Sequence, residues 1–396
     1  MLGAIASGES VVKTPLRGED CESTLRCLAQ LGLAYQWLSD EEVSLTPADE
    51  WRQPDELLDC GNSGTTMRLL SGLIASRPLD CVMTGDESLS RRPMKRVAEP
   101  LRLMGASVEG DSPPLHVRGA ELEGIDYTTP VASAQIKSCV LLAGLRASGS
   151  TSVTESAPSR DHTERMLTSA GVRVERKGLT ARVAGGSRPN GFQIAVPGDI
   201  SSAAFFMVAA AMLSESSLSL RQLGTNPLRT GVLDVLRDGG AELAIEESGE
   251  ELGEPVADVR VSATNKLRAF TIEKDLVPKL IDEIPVLAVL ATQCEGTSVI
   301  RDARELRVKE SDRIELMADG LRRMGAQVEA FEDGMAITGP TPLTATKIDA
   351  RGDHRIAMAF AIGGLIAEGT TEIEGAESIQ TSFPGFEEEL RRLCIV

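Results

Sequence analysis

One apolar pattern, written five times, constrains this chain more than any other feature. A polar or glycine start leads into a run of small apolar residues and an exit near glycine. It reads GNSGTTMRLLSGLIAS from Gly61, ASAQIKSCVLLAGLRASG from Ala132 and GDISSAAFFMVAAAML from Gly198. It returns as DEIPVLAVLATQCEG from Asp282 and GDHRIAMAFAIGGLIAEG from Gly352. Self-similarity of this kind marks an architecture of stacked units. The length and the alanine and leucine content predict helices buried on all sides with polar caps. Their small side chains let neighbouring helices approach closely.

A second element follows the first through the chain: an apolar helix end, a glycine stop, then a β-rich segment. It reads LRLMGASVE from Leu101, LTSAGVRVE from Leu167 and LRRMGAQVE from Leu321, with weaker copies at Leu28 and Leu236. Glycine after a helix end suits the left-handed cap. The unit is therefore two helices plus a few strands in roughly 70 residues, used about six times. That is an α/β chain. LGAIASGES at the start matches the tail of the first element, which predicts that Met1 falls inside a structural unit whose helix head is missing. The Pro/Gly-rich stretch from Gly185 to Asp199 is the best boundary between two similar halves, 1–196 and 197–396, with a hinge near 194–200.

Composition removes several function classes. The 59 acidic residues outnumber 41 basic ones, for a net charge of −18, so a general nucleic-acid binder is excluded. Aromatics at 3% supply no stacking platform for single strands. No apolar run approaches the length of a membrane span, and no signal peptide opens the chain. Seven scattered cysteines without a CxxC pair, and only three histidines, predict no metal site and a cytoplasmic protein. No Walker A loop or GxSxG elbow occurs.

Basic residues crowd the starts of predicted helices, where the macrodipole disfavours them. Arg91 and Arg92 precede Pro93, a natural first helical residue. Arg160 precedes Asp161, which with Glu164 reads as a capping box. Lys309 and Arg313 flank Ser311 and Asp312, Arg355 follows Asp353, and Arg68 and Lys137 sit in first turns. Taken singly, each reads as a solvated surface charge. Six in one acidic protein point to an electropositive cleft for a polyanionic small molecule, built from helix starts and charge-assisted bonds. Asp282, Glu283 and Glu310 lie among these bases. They read either as caps and ion-pair partners or as acids and bases tuned by the cations.

The motifs GNSGTTMRLL, GDESLSRRPMKRVAEPLRLMGA, ASAQIKSCVLLAGL, SRDHTERML, PGDISSAAFF, IDEIPVLAVLA, LRVKESDRI and DHRIAMAF together resemble the 5-enolpyruvylshikimate-3-phosphate (EPSP) synthase family. The resemblance runs in order from Leu2 to TSFPGF near the end. The SRDHTE and VKESDRI wording is similar to the bacterial glyphosate-tolerant-type subgroup.

The resemblance implies an inside-out α/β barrel fold: two similar domains, each of three repeated βαβαββ-type units, closing on substrates. The N-terminal domain would take shikimate 3-phosphate and the C-terminal domain phosphoenolpyruvate. It implies transfer of the enolpyruvyl group to the 5-hydroxyl of shikimate 3-phosphate with release of phosphate, no metal or other cofactor, and a monomer. Ser133, Ala134, Gln135, Ser159, Arg160, Asp282 and Lys309 would hold shikimate 3-phosphate. Gly64, Thr65, Arg92, Gln135, Arg313 and Arg355 would hold phosphoenolpyruvate, and glyphosate is the implied inhibitor. Asp282 would accept the hydroxyl proton, with Glu310 and Lys309 serving the methylene carbon and the developing charge.

The sequence departs from the family pattern in places. It contains no Lys-Ser-x-Ser-x-Arg motif, and the reading is of an N-terminally truncated member with reduced turnover. Thr381 stands where many members have lysine, and Leu69 where proline is frequent. Gly64 occupies a position where alanine favours tolerance to glyphosate. Three other readings stay open: an anion-binding form without turnover, enolpyruvyl transfer to UDP-N-acetylglucosamine, and a purely structural repeat. Against the second stands Glu87, at the place of that enzyme's catalytic cysteine.

Overall fold

The five apolar repeats fold as helices, at Gly64–Ala75, Ala134–Gly144, Ile200–Met212, Ile284–Ala291 and His354–Gly364 of the computed structural model, which describes residues 1–264 and 266–394. Their low polarity has the predicted consequence. All eight residues of Ile284–Ala291 are buried, as are eleven of the thirteen in Ile200–Met212. A helix with no wet face must be enclosed by other elements. Small residues set how closely those elements approach. A side chain at Gly72 would run into the Cys139 carbonyl of the next repeated helix, and one at Gly320 into the Phe360 ring.

The second repeat also folds as read. In all five copies a helix ends and a glycine with positive φ turns the chain into a strand: Gly32 (114°), Gly105 (110°), Gly171 (87°), Gly240 (89°) and Gly325 (95°). Only glycine adopts that backbone without strain.

The sheets repeat as well. Strands Leu58–Asp59, Asp80–Thr84, Leu115–Arg118 and Ser107–Glu109 lie side by side in that order. The first pair is parallel and the next two pairs are antiparallel. The same order and directions recur in Asp126–Thr128, Ser150–Thr154, Thr180–Ala184 and Val174–Lys177. They recur again in Thr271–Ile272, Gly296–Ile300, Met335–Gly339 and Gln327–Ala330. A fourth copy joins Gln193–Ala195 to Ser10–Lys13, Glu42–Thr46 and Ala34–Ser39. Two units are simpler: one has a three-stranded sheet between Ser217 and Ser262, and the last has two short parallel pairs between Leu343 and Glu374. Six related α/β units result, as the repeat spacing predicts.

The chain divides into two units, Met1–Val196 with Glu250–Glu254, and Pro197–Gly249 with Pro255–Val396. Each has its own apolar core built on its repeated helices. The seven cysteines are unpaired, five of them buried. Among the described residues no helix is long and apolar enough to cross a membrane, and no His/Cys/Asp/Glu group could hold a metal ion.

Candidate functional site

In the first unit the site grows from two helix starts. Ser63 caps Gly64–Ala75, its Oγ accepting from the Thr66 N–H at 3.2 Å. One turn in, Arg68 Nη1 donates to Gln135 Oε1 at 2.8 Å, and Gln135 Nε2 donates to Thr65 Oγ1 at 2.8 Å. This ties the first turn of one repeated helix to that of the next. Arg92 donates to Asn62 Oδ1 at 2.8 Å. A Cβ on Gly64 would stand 2.7 Å from Arg68 Nη1 and 3.3 Å from Arg92 Nη1, so both guanidinium groups lie over this glycine. Ser133 takes the N-cap position of Ala134–Gly144, yet its hydroxyl makes no capping bond. Gly64, Thr65, Arg92, Gln135, Ala134 and Ser133 are thus gathered around two adjoining helix N-termini, where partial positive charge and free amides favour an anion.

Ser159 is tied to the same helix, Ala134–Gly144, through Lys137 in its first turn, and Arg160 follows Ser159 in the chain. Lys137, 4% exposed at its side chain, donates to Glu155 Oε2 at 2.7 Å and pairs with Glu164 Oε1 at 2.9 Å. It also reaches the Ser159 carbonyl at 3.5 Å, and the Ser159 hydroxyl donates to Glu155. Burial pushes the Glu164 carboxyl above its ordinary range, against the pull of Lys137. Lys137 is therefore a buried ion-pair partner that fixes the Ser159 segment. Arg160 is half-buried beside it.

Two local expectations are corrected here. Pro93 does not begin a helix: a short helix, Glu87–Ser90, ends at Arg91, and the next starts at Lys95. Arg91 and Arg92 therefore follow a helix C-terminus, where cations are favoured. Asp161 precedes the helix His162–Ser169 but makes no capping bond. Its buried carboxylate instead takes Arg165 Nε and Arg176 Nη1, each at 2.8 Å. Two strong cations outcompete one backbone amide.

The second unit brings its predicted residues into one ionic cluster. Arg313, 1% exposed, opens the helix Arg313–Arg323. It donates to Asp353 Oδ2 at 2.8 Å and Glu310 Oε2 at 2.6 Å, and lies 3.5 Å from Asp282 Oδ1. Lys309 Nζ stands 3.4 Å from the same Asp282 oxygen, and Arg355 Nη1 donates to the Asp282 carbonyl at 3.2 Å. Burial alone would lower the Arg313 pKa, but Asp353, Glu310 and Asp282 raise it above the usual arginine value. Burial opposes ionisation of Asp353, and Arg313 overcomes it, holding that carboxyl below its usual range. Asp353 also caps His354–Gly364, accepting from the Arg355 N–H at 3.0 Å. Burial, then Arg355 and Arg313, pull His354 down to about 4, so the imidazole is neutral at pH 7.

Reading the sequence alone selects Asp282, Lys309, Glu310, Arg313 and Arg355, and the fold gathers all five. It misses Asp353 as a site residue, although its place before a repeated helix was the signal. It notes Arg68 only as a misplaced charge, whereas Arg68 is the link between Gln135 and the Gly64 helix. Arg229, on Asp199 at 2.9 Å, carries no local sequence signal.

A sequence profile of the family described as EPSP synthase (3-phosphoshikimate 1-carboxyvinyltransferase) matches residues 1–390. The 3-phosphoshikimate 1-carboxyvinyltransferase of Bacillus licheniformis is 49% identical over 400 residues, taking in 100% of this chain and 93% of that protein. Its counterpart from Bacillus cereus is 48% identical over 398 residues, with 99% and 92% covered. A solved EPSP synthase from Acinetobacter baumannii superposes with a TM-score of 0.89 at 45% identity, covering 99% of this chain and 92% of that one. The repeated units, the ionic cluster and these likenesses agree, and the chain belongs to the EPSP synthase (3-phosphoshikimate 1-carboxyvinyltransferase) family, the enolpyruvyl transferases of the shikimate pathway.

Proposed function

We propose that the two clusters divide the work of enolpyruvyl transfer. Ser133, Ala134, Gln135, Ser159 and Arg160 bind shikimate 3-phosphate, whose phosphate suits the helix start and the arginine. Gly64, Thr65, Arg92 and Gln135 of the first unit, with Arg313 and Arg355 of the second, bind phosphoenolpyruvate. Asp282 accepts the proton of the 5-hydroxyl as its oxygen attacks the second carbon of phosphoenolpyruvate. Glu310, with Lys309 beside it, delivers a proton to the methylene carbon. Loss of phosphate and of one methyl proton then restores the enol ether, so atoms and charge balance.

The observation that carries this reading is Asp282, a carboxylate lying 3.4 Å from Lys309 and 3.5 Å from Arg313. The carboxylate is the group that can accept a proton from a bound hydroxyl, and the two cations fix its position. Arg313 itself is held by three carboxylates, so within the clamp it serves first to position Glu310 and Asp282. Release of phosphate from the two substrates tests the assignment. Asp282→Asn is expected to lower kcat by about 10²–10⁴ with KM little changed; turnover near wild type removes Asp282 from this role.

The motif wording supports membership of the glyphosate-tolerant-type subgroup, with glyphosate competing for the phosphoenolpyruvate positions.

A further inference from the structure

Away from the helix starts, the first unit holds a cavity of about 340 Å³ near the other ends of its helices. Its walls include Trp51, Leu73, Leu142 and three arginines, Arg77, Arg146 and Arg188. Arg77 is 8% exposed. It donates to the Leu73 carbonyl and the Ser76 hydroxyl and stacks 4.0 Å over the Trp51 ring. Arg146 donates to the Ser76 carbonyl at 3.2 Å, and Arg188 to the carbonyls of Ile5 and Ala6 at 3.2 and 3.0 Å.

Carbonyls at helix ends attract cations, which explains one arginine at each end. They do not explain a buried guanidinium with two more beside it. Among the described residues no carboxylate pairs with any of the three, although Asp49 and Glu50 stand exposed at the rim. Burial, then repulsion from Arg146 and Arg188, pull Arg77 down to about 9. A buried cation normally has an anionic partner, because desolvation is otherwise uncompensated. The volume falls within the range of small-molecule pockets, and the wall pairs an aromatic and two leucines with cations.

We propose that this cavity is a binding site for a small carboxylate with an apolar body, its carboxylate held by Arg77, Arg146 and Arg188 and its body against Trp51, Leu73 and Leu142. The ligand would sit at the opposite ends of the helices from the substrate residues, so occupancy is separable from turnover.

Trp51 reports on the site directly. The chain has two tryptophans, so Trp37→Phe leaves Trp51 as the sole emitter. Benzoate titrated into that full-length variant is expected to change its emission saturably, with half-saturation below roughly 10 mM. Arg146→Gln and Arg188→Gln, at exposed positions, are expected to weaken benzoate about tenfold or more while enolpyruvyl transfer without benzoate stays at wild-type rates. Three results would overturn the proposal: no saturable change, binding indifferent to both variants, or binding abolished by Arg355→Ala instead. Inorganic phosphate is the second probe. Phosphate saturating Trp51 as readily as benzoate would overturn the requirement for an apolar body.

Discussion

The cation clusters of the two units are built from different partners. In the first unit Arg68 and Arg92 donate to neutral amides, Gln135 and Asn62. In the second, Arg313 donates to carboxylates, and Asp282, Glu310 and Asp353 surround it. Hydrogen bonds to neutral amides orient a guanidinium. Carboxylate partners lock the geometry and create groups that can move protons. On the proposed assignment, the same helix-start design serves binding in one unit and acid–base chemistry in the other. The first unit does contain a locked ion cluster, Lys137 with Glu155 and Glu164, which holds the Ser159 segment.

This contrast predicts an order of effects. Arg313→Met is expected to be the largest, because it strands buried carboxylates. A loss of about 3–5 kcal/mol in urea unfolding, with no measurable turnover, is expected; a loss below about 1 kcal/mol would show that the cluster does not lock the second unit. Arg92→Gln should do the reverse. KM for phosphoenolpyruvate is expected to rise about tenfold or more with stability changed by less than about 1 kcal/mol. If unfolding shifts as far as for Arg313→Met, the two clusters do not differ in kind.

Acidification separates the units further. The His354 pKa lies at about 4 against an ordinary 6.5. The unfolded chain therefore takes up a proton between those values while the folded chain does not. Stability is full above pH 6.5 and falls as pH drops toward 4. Asp353, held below its usual range, adds a further loss at more acidic pH. Glu164 is raised, so its protonation on acidification relieves a cost to the folded state and offsets loss in the first unit. Amide exchange followed by mass spectrometry from pH 7 to 4 is expected to show the helix His354–Gly364 opening before Ala134–Gly144. The opposite order would break the comparison.

The smallest effect is steric. Gly64→Ala places a methyl group 2.7 Å from the end of the Arg68 side chain and 3.3 Å from that of Arg92. Both chains can yield by a few tenths of an ångström. A modest, parallel rise in KM for phosphoenolpyruvate and in the inhibitory concentration of glyphosate is expected, measured by phosphate release. Glyphosate inhibition unchanged by Gly64→Ala would remove this glycine from the inhibitor's surroundings.

Much of the architecture is legible from local chemistry. The five glycines from Gly32 to Gly325 each sit at a positive φ that other residues adopt only with strain. The apolar runs from Gly64 to Gly364 have no polar face to give to water. Such signals lie within a few residues of the structure they cause. The same holds for Asp312, which caps its helix through the Glu315 N–H at 3.0 Å. Pro93 was misleading because proline fixes its own φ but does not decide whether the chain beyond it has helical partners. The ion-pair partners of Lys137 and Arg313 were illegible for another reason: they lie far along the chain, Glu155 and Glu164 for one, Asp282 and Asp353 for the other.

The sequence by itself determined the repeat, the glycine-stopped helices and the identity of the charged residues, because backbone preference and side-chain polarity act over a turn or two. Only the tertiary structure decided which charges are buried and which distant groups they meet. Those outcomes depend on distance and desolvation between segments up to 183 residues apart, as when Arg188 reaches the Ile5 carbonyl, and Coulomb and solvation energies follow separation in space rather than along the chain.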